Sequence, residues 1–178
     1  RSSSDSGFAV KDHYKIDSRL GDWSDIKKFS KKNNVMADIV INHSSARGLW
    51  FRNFLKNKKP GKDYFLTVKP KFDVSKVIRP RDHKLLKRIN IFKKKEYLWR
   101  TFSADQIDLN FKNPAVLLRF IKIMIHLINN GVRIFRLDAI AYLWKENGTN
   151  CINLKQTHEI IKLFRFISDN LKIQTLLI

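Results

Sequence analysis

The chain has 178 residues, 43% hydrophobic and 12% aromatic, which is enough for one domain with a real core and excludes disorder by composition. Lys and Arg number 36 against 16 Asp and Glu, a formal net charge of +20 that raises nucleic acid or an anionic surface as a partner. No apolar run reaches the length of a membrane span, and Cys151, the only cysteine, excludes an intrachain disulfide.

The basic residues are spread along the chain, with modest clusters at 27–32, 56–62 and 93–95, and Ile, Asn and Phe are abundant beside them. Biased composition on solvated faces fits this better than a nucleic-acid interface, and no helix-turn-helix, zinc-finger or RNA-binding signature is present. A basic nucleic-acid-binding domain remains the alternative from another class. The first residue is Arg1 and the last residues form an apolar run, so the expectation is an internal fragment, with any signal peptide lying upstream.

In chain order, Asp5-Ser-Gly-Phe8 is a turn-rich opening, Val10 to Tyr14 predicts a short extended piece, and Leu20-Gly21 marks a turn. Asp22 or Ser24 can cap a helix with Ile26 and Phe29 on one side. Ala37 to Asn42 has strand length and closes on the polar run Asn42-His43-Ser44-Ser45. Residues 46–105 are irregular: Trp50, Phe51, Phe54, Tyr64 and Phe65 predict short packed elements, and Lys58-Lys-Pro-Gly61 a turn. Pro70 and Pro80 break any long element there, and Tyr97 to Phe102 predicts a hairpin strand. The segment reads as an inserted loop region, a common place for function.

Asn113-Pro114 is a cap followed by proline at the first helical position. Leu117, Phe120, Ile121, Met124, Leu127 and Ile128 then lie on one face at helical spacing, and Gly131 ends the helix. A strand over 132–138 terminates in Asp138. After a polar loop, Thr157 starts a helix with apolar Ile160, Leu163, Phe164, Ile167 and Leu171, and a strand begins at Gln174. The alternation predicts an α/β fold with parallel strands buried on both faces. Without a Gly-rich phosphate loop after any strand, a nucleotide-binding doubly wound sheet loses ground to part of a (β/α)-barrel. Asn42-His43 and Asp138 are polar strand exits, where a barrel carries its active site. Arg136 shares a strand face with Asp138, which suits a catalytic pair, a structural ion pair, or charges emerging at a strand exit.

These motifs also carry a resemblance. Asp38-Ile-Val-Ile-Asn42-His43 resembles the first signature of the α-amylase family, glycoside hydrolase family 13. Gln106-Ile-Asp-Leu-Asn110 is similar to that family's motif ahead of the nucleophile strand, and Gly131-Val-Arg-Ile-Phe-Arg136-Leu-Asp138-Ala139 resembles its second signature. Trp144-Lys-Glu146, Gly148-Thr-Asn-Cys151, Asp5-Ser-Gly-Phe8 and Leu20-Gly-Asp-Trp23 look like the branch containing sucrose phosphorylase and glucosylglycerate phosphorylase. The resemblance implies a partial (β/α)8 TIM barrel, roughly its second to fifth strand, with residues 46–105 inserted.

It further implies a retaining, cytoplasmic α-glucosyl-transferring enzyme of carbohydrate metabolism. The most specific reading is a sucrose-type glucoside phosphorylase, with a hydrolase or transglucosidase of the same family as the alternative. Partners would be a small glucoside such as sucrose or glucosylglycerate, and inorganic phosphate, with no cofactor, metal, nucleic acid or membrane. Asp138 matches the nucleophile that forms a covalent glucosyl-enzyme, and Arg136 the arginine that keeps it ionised and oriented. Asp5, His43 and Gln106 match residues that bond the glucosyl ring, and Phe8 an aromatic platform. Asp38 and Asn42 read as structural, although in some amylases the position of Asn42 serves calcium. Asp108 and Asn110 read as turn-formers, and Cys151 as a buried small residue. The family's acid/base Glu follows the strand that begins at Gln174, so the stretch by itself is expected to be inactive and insoluble.

Overall fold

A computed structural model describes residues 7–91, 94–171 and 174–178. The elements in chain order are α1 (Trp23–Ser30), β1 (Val35–Val40), β2 (His43–Ser45), α2 (Leu49–Leu55), β3 (Thr67–Val68), β4 (Leu86–Ile91), β5 (Lys94–Trp99), β6 (Gln106–Asp108), α3 (Pro114–Asn129), β7 (Val132–Asp138), α4 (Lys155–Asn170) and β8 (Leu176–Leu177).

The frame is a parallel sheet in the order β1-β7-β8, with helices in the connections. Its register sets Asp38 beside Arg136 and Val40 beside Asp138, so β1 and β7 end together. That shared end brings Asn42-His43 and Asp138 to one side of the sheet. Side-chain alternation then sorts the residues. Phe135 and Leu137 of β7, with Ile39 and Ile41 around the end of β1, enter the main core with Phe120 of α3 and Phe164 of α4. The opposite face carries Asp38, Arg136 and Asp138 and is partly exposed. The expectation of strands buried on both faces is therefore corrected to one. The charged residues of β1 and β7 occupy the side that a barrel turns inward, and Met36 and Leu176 are exposed.

Helix α3 forms as its sequence predicts. Asn113 Oδ1 accepts from the Ala115 N–H at 3.0 Å, Pro114 occupies the first turn, and Val116, Phe120, Ile123, Met124, Leu127 and Ile128 are buried at helical spacing. Gly131 follows with φ +95°, and a Cβ there would collide with the Ser30 side chain at the end of α1. Glycine is thus required both by the left-handed conformation and by the close approach of α1. Helix α1 has the expected cap: Asp22 accepts from the Ser24 and Asp25 N–H groups, and the Asp25 carboxylate accepts from the Asp22 N–H. Helix α4 begins at Lys155, two residues before the expected Thr157, because Leu154 stands at the cap position and makes no side-chain cap.

Between β2 and β6 the chain builds α2 and a three-stranded antiparallel sheet in the order β3-β5-β4. The strand expected over Tyr97 to Phe102 is β5, shifted toward the N-terminus and paired with β4 from Leu86–Trp99 to Ile91–Lys94. This region has its own small core of Leu66, Val68, Leu85 and Trp99, joined by Cys151 from the loop after β7. Strands β2 and β6 pair antiparallel, placing His43 opposite Asp108 and Ser45 opposite Gln106. No strand forms over Val10 to Tyr14. Instead the Val10 carbonyl accepts from the Ser45 N–H at 2.9 Å and the Ser44 hydroxyl at 3.0 Å, lashing the early chain to β2.

Candidate active site

Arg136 bridges two carboxylates at the shared strand exit. Its guanidinium donates to Asp38 Oδ1 at 2.9 Å and lies 2.9 Å from Asp138 Oδ1. Two flanking carboxylates hold a planar guanidinium at a fixed angle in a way that one partner would not. The Asp38 carboxylate, and after it that of Asp138, push the Arg136 guanidinium still further above its ordinary value. Asp138 is directed onto the open face of the sheet, with its side chain 17% exposed. The next residue, Ala139, has φ 61° and ψ 23°. A left-handed alanine costs about 1 kcal/mol, and such strain at the exit of a strand marks a place where the chain is held for a reason.

His43 lies behind this pair, 1% exposed. Burial pushes its imidazole below the ordinary value of 6.5, while the carboxylates of Asp108 and Asp138 and a backbone hydrogen bond with Phe8 oppose that shift. Its Nε2 is buried and makes no hydrogen bond among the described residues. Both residues beside His43, Asn42 in sequence and Asp108 across the strand pair, belong to a buried polar network. Asn42 Nδ2 donates to Asp108 Oδ2 at 2.9 Å and lies 3.4 Å from His43 Nδ1. Lys145, whose side chain is 2% exposed, reaches in from the loop after β7. It donates to Asn42 Oδ1 at 2.8 Å and sits 2.5 Å from Asp108 Oδ2. The Thr101 N–H and hydroxyl donate to Asp108 at 2.9 and 2.6 Å, and the Trp99 indole donates to the Thr101 hydroxyl at 3.1 Å. Burial pushes the Lys145 ammonium below its ordinary value, and the Asp108 carboxylate opposes that. Removing one partner of a buried pair like this costs roughly 3–5 kcal/mol, because the other charge is stranded.

The structure thus brings Asp138, Arg136 and His43 to one strand exit and joins Phe8 to His43 through the backbone. Gln106 is buried opposite Ser45, two strand positions from the His43–Asp108 pair, about 7 Å along the strand. Asp5 lies outside the described residues. Asp108 is no turn-former but a fully buried ion-pair partner, because β6 pairs with β2 and carries it inside. Asn110 does form a turn, its Oδ1 accepting from the Lys112 N–H. Lys145, Thr101, Trp99, Phe102 and Tyr142 were not legible as site residues. Phe102 lies between His43 and Tyr142, with ring centroids 5.1 and 5.2 Å away. Only the non-local pairing reveals them: a lysine in a polar loop reads as solvated until Asp108 is found against it. Among the described residues no group of three or more His, Cys, Asp or Glu side chains is arranged to hold a metal, and no helix is long and apolar enough to cross a membrane. A groove of about 750 Å³ lies at the opposite end of the strands, around Asn34, Arg133 and Leu176, away from the carboxylates.

The sequence of residues 1–172 matches the α-amylase catalytic domain. The chain belongs to that family. It is 46% identical over 167 residues to a glucosylglycerate phosphorylase of Spirochaeta thermophila, covering 94% of this chain and 28% of that protein. It is 42% identical over 177 residues to a glucosylglycerate phosphorylase of Escherichia coli, covering 99% of this chain and 32% of the relative. The crystal structure of sucrose 6F-phosphate phosphorylase from Thermoanaerobacter thermosaccharolyticum superposes with a TM-score of 0.86 at 29% identity, over 99% of this chain and 39% of that one. The chain therefore spans about a third of the length of these relatives. Its strands and helices form part of a (β/α)8 barrel, with Asp138 at the strand end where such barrels carry their chemistry.

The depressed His43 imidazole has a consequence for stability. Below about pH 6.5 an unfolded chain takes up a proton that the buried ring resists, so stability is lost as pH falls through that window. His83, depressed by its own burial and by Arg79 and Arg100, adds a slope of the same sign. Replacing His43 with Gln in the full-length protein is expected to flatten the fall in stability between about pH 6.5 and pH 5, read by urea unfolding at fixed pH. An unchanged slope contradicts the burial account.

Proposed function

We propose that this chain is part of a retaining α-glucosyl phosphorylase that acts on glucosylglycerate or a related small glucoside through a glucosyl-Asp138 intermediate. The observation that carries the reading is the Asp38–Arg136–Asp138 bridge at a strand exit beside a buried histidine with an unpartnered ring nitrogen. It stands in a chain that is similar in sequence to two glucosylglycerate phosphorylases. In the first step the Asp138 carboxylate attacks the anomeric carbon as the bond to the aglycone oxygen breaks. That oxygen takes a proton from the acid/base Glu that the family carries beyond the strand at β8. In the second step a phosphate oxygen attacks the same carbon and gives up its proton to that Glu. The Asp138 carboxylate is released and glucose 1-phosphate forms. Two displacements retain the α configuration. Arg136 holds the nucleophile on line, His43, Gln106 and Asp5 bond the ring, and Phe8 is its aromatic platform.

A second set of side chains supports phosphate as the acceptor. Arg79, His83 and Arg100 converge in the region between β3 and β6, and Arg79 Nη1, His83 Nε2 and Arg100 Nε are buried with no protein partner. Among the described residues none of the three joins an ion pair. Burial depresses both His83 and Arg100, and neighbouring like charges add to it: Arg79 and Arg100 act on His83, and Arg79 on Arg100. An oxyanion would satisfy the two guanidinium donors. The Ile78 N–H, next to Arg79, donates to the Asn150 carbonyl at 3.0 Å, so the chain beside Arg79 meets the loop that follows the proposed nucleophile strand.

The test is the full-length protein with glucosylglycerate or sucrose and inorganic phosphate, following glucose 1-phosphate. Asp138→Asn is expected to lower kcat by about 10⁴-fold or more. Full activity in that variant refutes the nucleophile, and release of glucose at the same rate with or without phosphate turns the reading toward a hydrolase. In the same assay Arg79→Ala is expected to raise the KM for phosphate about tenfold, the cost of roughly one charge-assisted bond, with the KM for the glucoside unchanged. An unchanged phosphate KM removes the cluster from the acceptor site.

A further inference from the structure

We propose that Lys145 is a positioning residue that sets where His43 stands relative to the proposed nucleophile. The inference rests on that reading of the site. Three observations carry it. Lys145 lies on the loop that leaves Asp138, and its ammonium bonds the two residues that flank His43: Asn42 before it in sequence and Asp108 opposite it across β2 and β6. The end of β7, from which that loop departs, is itself fixed to the chain just past β1, where the Ile41 N–H donates to the Asp138 carbonyl at 3.4 Å. The aromatic side of the loop follows suit, since Tyr142 packs on Phe102 and Phe102 packs on His43. The histidine is therefore held from two sides by the segment that carries the nucleophile.

A charge was not needed to achieve packing alone. Apolar side chains of similar volume fill a buried site at equal or lower cost, so a buried lysine with both contacts directed at one residue's neighbours points to geometry. A rotatable ammonium donor can satisfy Asn42 Oδ1 and Asp108 Oδ2 together, and in doing so orients the Asn42 amide, whose Nδ2 lies beside the His43 ring. Without Lys145, Asn42 Oδ1 loses its donor, and the Nδ2 bond to Asp108 is left to fix the amide with one restraint fewer. A donor group misplaced by about 1 Å costs on the order of 100-fold in rate.

The experiment uses the full-length protein with Lys145→Met alone and paired with Asp108→Asn. The single variant strands the Asp108 charge and is expected to lose thermal stability heavily. The double variant removes both charges, and its carboxamide still accepts from the Thr101 N–H, so its Tm is expected to recover. If Lys145 positions His43, the double variant keeps a kcat about 10- to 100-fold below wild type. The KM for phosphate is then unchanged, and the imidazole NMR signals of His43 are shifted and broadened. If Lys145 serves stability alone, the double variant regains wild-type kcat and wild-type His43 signals along with its Tm, and the proposal is overturned. A wild-type protein inert toward glucoside and phosphate overturns the function proposed above. The His43 signals still decide the role of Lys145 in that case.

Discussion

The constraint on which the site depends is one buried cation. The Lys145 ammonium, taken out of water, must be met by oxygen atoms on nearly every side, and the fold supplies them from Asn42 and Asp108. Meeting that requirement brings together the exit of β1, the short strand β6 and the loop after β7. Thr101 and Trp99 extend the network into the sheet formed by β3, β4 and β5. A network of this kind tolerates little slack, because every bond broken leaves a buried polar group unsatisfied. The antiparallel sheet, the parallel barrel strands and the segment carrying Asp138 thereby share one fixed point.

A second charged arrangement, on the open face, has a different physical character. Arg136 is 46% exposed, so its bonds to Asp38 and Asp138 contribute little to stability, as exposed pairs do. What they supply is direction. Register fixes Asp38 beside Arg136, alternation fixes Arg136 and Asp138 on one face, and the guanidinium locks the three in line. The two arrangements divide the work: the buried one sets the positions of segments, and the half-open one aims a carboxylate at the space a barrel encloses.

The regular parts of this architecture could be read from the residues because their causes are local. Asn113-Pro114 and Gly131 bracket α3, Asp22 caps α1, and the apolar run 132–138 became β7 with the expected bounds. Asp138 and His43 were legible as strand-exit residues, since a carboxylate or imidazole after an apolar run stands out. What could not be read depends on pairing between distant segments. Nothing around Lys145 signals burial, Asp108 resembles a turn residue in isolation, and β2 with β6 is too short to show periodicity. The start of α4 was misplaced for a related reason: Leu154 carries no capping side chain, so packing rather than a local signal sets that boundary.

The central claim is that Asp138 becomes covalently bonded to the sugar. The direct measurement is mass spectrometry of the full-length protein treated with a fluorine-substituted glucosyl fluoride, whose destabilised transition states let an ester intermediate accumulate. The account predicts one added fluoroglucosyl group, mapped to the peptide containing Asp138 and lost on addition of phosphate. A label on another carboxylate, or none in an enzyme that turns over its natural glucoside, would contradict it.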